Sequence, residues 1–382
     1  MKIIIDENVA FALEAFGKFG EVILSPGRKI SNKLLRDADA LIVRSITTVD
    51  KNLLDNTSVK YVGTATIGTD HVDINYLNEL GITFSDAKGC NSFAVAEYFM
   101  TGLLAIANKY NRNLENLSIG IVGYGNVGKK TAVLAEALGL KVFVSDPPLE
   151  REGFFYPFSS LSKVLACDIV TLHVPMNIGG IDNTYHLINK TNIDLLKEDV
   201  IFFNTSRGAV VENEVLLKKL TDNKKMSAVL DVWENEPNCN NKLVKKVKIG
   251  TPHIAGYSFE GKVIGTKMIY DSFCDCFGFN KEWQYDLYNK ILKRYTFDNG
   301  DSFENNFYKI TNSIYNIYKD GLEFKKILEL DKAEQPKYFD DLRKNYNLRM
   351  EFPNYEILVD KINTDNNIFK KINQLRFKIA DK

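Results

Sequence analysis

Nowhere in these 382 residues does an apolar run approach the length of a membrane span, and the opening Ile3-Ile4-Ile5 stops at Asp6, too short for the core of an export signal. The expectation is a soluble, cytoplasmic protein. Cysteine is scarce: Cys90, Cys167, Cys239, Cys274 and Cys276 are odd in number and contain no C-x-x-C pair. That spacing disfavours a zinc or redox site, and the thiols are read as reduced. Cys274 and Cys276 would face one way on a strand, but no further ligands cluster near them, so no metal is expected. Excess charge of either sign is also missing, since 49 Lys+Arg balance 49 Asp+Glu. A nucleic-acid footprint spread over the whole surface is thereby disfavoured. Histidine is limited to His71, His173, His186 and His253.

What remains is ordinary for a globular chain, with 45% hydrophobic and 26% charged residues. The length exceeds the usual limit of a single core, which predicts two or three domains. Short apolar runs alternate with helical patterns. Strands are predicted at Lys2–Ile5, Glu21–Leu24, Ala40–Val43 and Tyr61–Gly63, with a helix over Val9–Phe19. A second helix is predicted from about Ser92 to Lys109, and further strands at Ser118–Val122, Lys141–Val144, Ile169–Leu172, Val200–Phe203 and Ala228–Leu230. Such alternation predicts parallel sheets with helices on their faces. From about Leu287 aromatics and lysines rise and glycines thin out, marking a separate C-terminal α/β segment.

One strand runs directly into Gly123-Tyr124-Gly125-Asn126-Val127-Gly128 and then into a helix. The glycine motif alone is weak, but strand before and helix after are the context a dinucleotide fingerprint requires. Gly123 is expected to allow the tight turn, Gly125 to let the backbone approach a pyrophosphate, and Gly128 to permit close helix–strand packing. The helix N-terminus offers free N–H groups to phosphates. Asp146 ends the next strand, near the expected spacing of about 20 residues, where it would bind ribose hydroxyls and repel a 2′-phosphate. The cofactor predicted is NAD.

His253 sits in the loop Gly250–Gly256, Glu236 in Asp231–Pro237, and Arg207 in Asn204–Ala209, each following a predicted strand. A carboxylate hydrogen-bonded to an imidazole fixes its tautomer, suiting the ring to proton transfer, typically for about 10²–10⁴-fold in rate. The planar fork of Arg207 matches a substrate carboxylate bidentately; pairing with Asp231 or Glu234 is its alternative. Together the three residues suit hydride transfer from C2 of a 2-hydroxy acid, with His253 taking the hydroxyl proton.

Gly123–Gly128, Asn204–Val210, Asp231–Pro237 and Thr251–Gly256 resemble the D-isomer-specific 2-hydroxyacid dehydrogenases, which place Arg, Glu and His in these roles and in this order. A closer resemblance, to one branch of that family, covers essentially the whole chain. It is carried by Met1–Asn8, Val43-Arg44-Ser45, Gly63–Asp73, Gly89-Cys90-Asn91, Thr251–Tyr257 and Leu342–Tyr346.

The resemblance implies two doubly wound, Rossmann-like parallel-sheet lobes plus a C-terminal α/β dimerisation domain. Residues 1–93 and 257–286 would form a substrate lobe, 94–256 the NAD domain, and 287–382 the dimerisation domain of a homodimer. It implies oxidation of 4-phospho-D-erythronate to (R)-3-hydroxy-2-oxo-4-phosphobutanoate in pyridoxal 5′-phosphate biosynthesis. By it, Ser45, Thr66 and Tyr257 contact substrate, and Asp146, Val174, Thr205, Ser206, Arg207, Asp231 and Gly256 line the NAD site beside Gly123, Gly125, Asn126, Val127 and Gly128. At Val174 the family often carries a hydroxyl residue, so only a backbone contact is expected there. Arg44 is the expected cation for the substrate phosphate; Arg343, Lys344 and Arg349 are read as a solvated basic face, with a contribution from a partner subunit as the alternative. The competing functions are another dehydrogenase of the family, for phosphoglycerate or glycerate, and a non-enzymatic NAD-sensing scaffold.

Overall fold

Apolar runs of four or five residues, each followed by small or polar residues, make buried parallel strands with ligand-facing ends. The computed structural model describes residues 1–382 apart from Lys361 and Asn363. They form two compact units, Met1–Ser92 with Ser258–Leu287, and Phe93–Tyr257 with Tyr288–Lys382. The C-terminal segment therefore shares a unit with the glycine turn. No helix among the described residues is long and apolar enough to cross a membrane.

The first unit holds β1 (Lys2–Asp6), β2 (Glu21–Ser25), β3 (Ala40–Val43), β4 (Tyr61–Thr64) and β5 (Thr83–Asp86), in the order β2-β1-β3-β4-β5. All pairings are parallel. Ile3, Ile4, Ile5 and the whole of Ala40–Val43 are buried, as strands covered on both faces must be. β5 carries only one large apolar residue, Phe84, and occupies an edge, which is why pattern reading passed over it. Val9–Phe19 is not one helix: a short helix, Ala12–Phe16, tightens into a 3₁₀ turn over Gly17–Phe19.

The long helix Phe259–Phe277 packs on this sheet so closely that a Cβ at Gly63 would lie 2.5 Å from Ile269 Cγ2. Cys274 and Cys276 belong to that helix and not to a strand. Two residues apart on a helix they diverge, one buried and one half-buried, and all five cysteines are free thiols.

The second unit holds β6 (Ser118–Val122), β7 (Lys141–Ser145), β8 (Ile169–Leu172), β9 (Ile201–Asn204), β10 (Ser227–Leu230) and β11 (Ile249–Gly250). Their order, β11-β10-β9-β8-β6-β7, reverses direction between β6 and β8, the switch point at which doubly wound sheets bind ligands. The helix Ser92–Lys109 is buried continuously from Ala94 to Ala107, consistent with apolar or small residues on every face. A third parallel sheet, β12 (Lys293–Thr296), β13 (Tyr355–Val359) and β14 (Lys378–Asp381), completes the unit. It closes over Phe307, Phe352 and Phe377, all buried.

Candidate active site

The switch point is built by the glycine turn. Gly123 adopts φ +93, and a Cβ there would meet the His173 carbonyl oxygen at 2.7 Å, so the end of β6 lies directly against the end of β8. Gly128, in the first turn of helix Asn126–Ala137, packs so closely that a Cβ would sit 2.0 Å from the Gly123 carbonyl oxygen. Gly125 caps this helix, and a Cβ added there meets no protein atom within 4 Å. One glycine permits the turn, one permits the packing, and the third leaves the backbone open to an approaching group. That arrangement fits a pyrophosphate over the helix N-terminus, with Asn126 and Val127 opening the first turn. Asp146 closes the turn: Oδ2 accepts from Tyr124 N at 2.6 Å and Oδ1 from Leu149 N at 3.1 Å. Each oxygen retains a lone pair for a ribose hydroxyl.

His253 and Glu236 meet as the sequence predicts. His253 Nδ1 faces Glu236 Oε1 at 2.5 Å, and Glu236 Oε2 accepts from Trp233 N at 3.1 Å. A carboxylate only accepts, so Nδ1 carries the proton and Nε2 keeps its lone pair for another partner. Burial pushes the Glu236 carboxyl up, but the His253 imidazole and the hydrogen bonds from His253 and Trp233 outweigh it and hold the group below its ordinary range. Arg207 follows β9, with Nη1 donating to Ser206 O at 2.9 Å. Its neighbour Gly208 fits against the backbone of the Glu236 loop, since a Cβ would lie 1.9 Å from the Trp233 carbonyl carbon. The Arg207 and Glu236 loops are therefore in direct backbone contact. Glu234 accepts instead from His186 Nε2 at 2.6 Å and from Asn213 N at 3.1 Å.

Asp231 is placed differently from expectation. Its buried carboxylate accepts from Thr251 Oγ1 at 2.6 Å, Ile254 N at 2.8 Å and Ala255 N at 2.9 Å, so it fastens the His253 loop. His253 itself has φ +58 and donates its amide to Asp231 O at 2.7 Å. The segment following β10 thus holds the loop twice, its backbone through Asp231 and the His253 ring through Glu236, with Gly256 closing the same loop. At the end of β8, His173 lies between Thr171 Oγ1 at 3.0 Å and Thr205 Oγ1 at 3.3 Å, and burial pulls its pKa down to about 3. Val174 adjoins Gly123. Ser206 is buried and bonded to Asn204 Oδ1 at 2.8 Å.

In the first unit, Arg44 and Ser45 follow β3, and Thr66 Oγ1 lies 2.8 Å from Thr64 Oγ1, which His71 Nε2 also meets at 2.9 Å. Sequence reading missed Lys262, in the first turn of helix Phe259–Phe277, where burial and the charge of Arg44 both pull its pKa down. The signal was available: a lysine opposing the positive end of a helix dipole is out of place unless something else holds it.

The solvated basic face does not hold. Arg349 is buried and donates to Ile254 O at 3.1 Å, to Ala94 O at 2.9 Å and to Ala255 O, while Arg343 is half-buried next to Tyr257 and Glu236 of its own chain. Only Lys344 of the three is exposed.

Residues 98–255 match the family model described as D-isomer specific 2-hydroxyacid dehydrogenase, NAD binding domain. Residues 289–375 match one described as a domain of unknown function. Erythronate-4-phosphate dehydrogenase of Proteus mirabilis (strain HI4320) is 41% identical over 366 residues, covering 95% of this chain and 96% of its own. The enzyme of that name from Escherichia coli O1:K1 / APEC is 41% identical over 363 residues, 94% of each chain. The chain belongs to the erythronate-4-phosphate dehydrogenases.

It is accordingly an oxidoreductase acting on a CH–OH group, and its dinucleotide is NAD. Among solved structures, NAD-bound 3-phosphoglycerate dehydrogenase from Entamoeba histolytica superposes with a TM-score of 0.62 at 24% identity, covering 75% of this chain and 98% of that one. D-Lactate dehydrogenase from Aquifex aeolicus gives 0.55 at 24%, covering 73% and 96%. These likenesses speak to the fold.

Proposed function

We propose that the chain oxidises 4-phospho-D-erythronate to (R)-3-hydroxy-2-oxo-4-phosphobutanoate, a step of pyridoxal 5′-phosphate biosynthesis, in the cytoplasm and as a homodimer joined through the 287–382 segment. The observation that carries the reading is the 2.5 Å Glu236–His253 pair, on a loop in backbone contact with the Arg207 loop, within a unit that also holds the glycine turn. Arg207 grips the substrate carboxylate with its fork and polarises C2. His253 Nε2 takes the C2 hydroxyl proton while Glu236 steadies the resulting imidazolium. NAD, when bound, supplies the acceptor for the hydride leaving C2. We assign the substrate contacts to Arg44, Ser45, Thr66 and Tyr257, with Arg44 answering the phosphate. Asp146, Val174, Thr205, Ser206 and Gly256 complete the NAD site with Gly123–Gly128, and Asp231 serves it by fastening the His253 loop.

A panel of 4-phospho-D-erythronate, 3-phosphoglycerate and glycerate, followed by NADH absorbance, tests the substrate. Faster turnover of 3-phosphoglycerate would end the assignment while leaving the chemistry intact. His253→Ala tests the chemistry: turnover should fall by about 10²–10⁴-fold with NAD affinity retained.

A further inference from the structure

His253 keeps φ +58, a backbone conformation that residues with side chains seldom adopt and that persists only where the surroundings over-determine it. Much of what holds it lies in the two residues that follow. Asp231 takes their amides, Ile254 N at 2.8 Å and Ala255 N at 2.9 Å. Arg349 takes their carbonyls: Nη1 donates to Ile254 O at 3.1 Å and Nη2 to Ala255 O. Both charged side chains are buried. The backbone directly after the imidazole is thus gripped by an anion at its N–H groups and a cation at its C=O groups, each charge meeting the favourable end of the peptide dipole.

The helix Ser92–Lys109 supports both halves of this clamp. Arg349 Nη2 also donates to Ala94 O at 2.9 Å, and the guanidinium lies over the Tyr315 ring, 4.8 Å from its centroid. One turn along the same helix, Tyr98 Oη lies 2.6 Å from Thr251 Oγ1, which donates to Asp231 Oδ1 at 2.6 Å. The Thr251 hydrogen is committed to the carboxylate, so the Tyr98 hydroxyl donates to Thr251.

We propose that Arg349 is a positioning residue of the reaction, setting the place of His253 by closing this clamp from the C-terminal segment of its own chain. The proposal rests on the reading of His253 as the proton acceptor. Such an acceptor must sit within about 0.5 Å of its productive place, and a displacement of about 1 Å caused far from the chemistry can cost about 100-fold in rate. The rigid guanidinium fork holds carbonyls of the loop and of the helix in one fixed geometry, which a single ammonium does not.

The test uses full-length Arg349→Met, Arg349→Lys, His253→Ala and the double variant of Arg349→Met with His253→Ala, each assayed below its own melting midpoint. The readouts are kcat per NAD-binding site, with sites counted by NAD titration, KM for 4-phospho-D-erythronate, and thermal unfolding. Counting sites removes any loss that comes only from unfolded protein. Arg349→Met should lower kcat per site by about 10–100-fold with KM and NAD affinity nearly unchanged, the pattern of an interaction needed in the transition state. Arg349→Lys should fall between the Met variant and the wild type. In the His253→Ala background, Arg349→Met should cost no further rate, because a residue that acts through the imidazole has nothing left to place.

A wild-type kcat per site in Arg349→Met overturns the proposal and leaves Arg349 a packing residue. So does a loss in the double variant equal to the product of the two single losses, which would make Arg349 independent of His253. If Arg349→Met fails to fold, Arg349→Lys takes its place in the cycle, and a wild-type kcat there is the negative answer. Full turnover in His253→Ala would instead remove His253 as the proton acceptor, a failure distinct from that of Arg349.

Discussion

The buried carboxylate of Asp231 accepts the amide of Ile254 at 2.8 Å, one residue beyond the imidazole that faces Glu236. The same carboxylate takes the Ala255 amide and the Thr251 hydroxyl, so the His253 loop is tied to the residue that follows β10 on both sides of the ring. Asp231→Asn turns one accepting oxygen into a donor facing groups that also donate. The expected result is a stability loss of about 1–3 kcal/mol in urea unfolding. The accompanying fall in kcat should exceed any change in NAD affinity. A variant with weakened NAD binding and normal kcat would place Asp231 on the cofactor instead.

Arg349 is a second fastener of that loop, from ninety-odd residues away. Its guanidinium serves the carbonyls of Ile254, Ala255 and Ala94, and its charge is buried. Arg349→Met leaves three carbonyl oxygens without their donor, and chemical denaturation should show a loss of about 3–5 kcal/mol. A loss below 1 kcal/mol would return Arg349 to the role of a surface cation.

These fasteners mark where sequence reading stops. The glycine turn was legible because each glycine answers a separate local demand, and the ends of β8, β9 and β10 were legible because apolar runs stop in polar residues. The Glu236–His253 pair followed from residue chemistry and chain order. Arg343 and Arg349 look in sequence like any basic residues of a lysine-rich tail. What buries them is a set of carbonyls, a phenol and a carboxylate contributed from distant positions, and no local pattern announces that. Cys274 and Cys276, which on a strand could have faced one way, lie in the helix Phe259–Phe277, whose extent the sequence did not announce.

His173 gives the fold a pH dependence whose sign follows from burial. Its folded pKa is pulled from 6.5 down to about 3, so below 6.5 the unfolded chain binds a proton that the folded one refuses. The contribution is intact above about pH 6.5 and is lost progressively as pH falls toward 3, by up to about 1.4 kcal/mol per pH unit. Denaturation midpoints measured between pH 7 and 4 should fall more steeply for the native chain than for His173→Gln, which has nothing to titrate. Parallel curves would show that His173 is protonated in the folded state.

Gly125 and Gly128 separate binding from folding. At Gly128 a Cβ would press on the Gly123 carbonyl oxygen at 2.0 Å, a backbone atom that cannot yield without reshaping the turn. Gly128→Ala should therefore lower the melting midpoint and weaken NAD binding together. Gly125 has φ −76 with ψ −149, just beyond the extended region that alanine prefers, and its Cβ would meet no protein atom within 4 Å. Gly125→Ala should still fold, at a cost of about 1–3 kcal/mol for that backbone angle, yet raise the NAD dissociation constant by about tenfold or more, equivalent to about 1.4 kcal/mol, because its methyl group occupies the approach of the pyrophosphate. The decisive pairing is a thermal melt with an NAD titration on the same preparation. A Gly125→Ala protein that binds NAD normally would move the pyrophosphate away from this turn, and with it the placement of the cofactor beside His253.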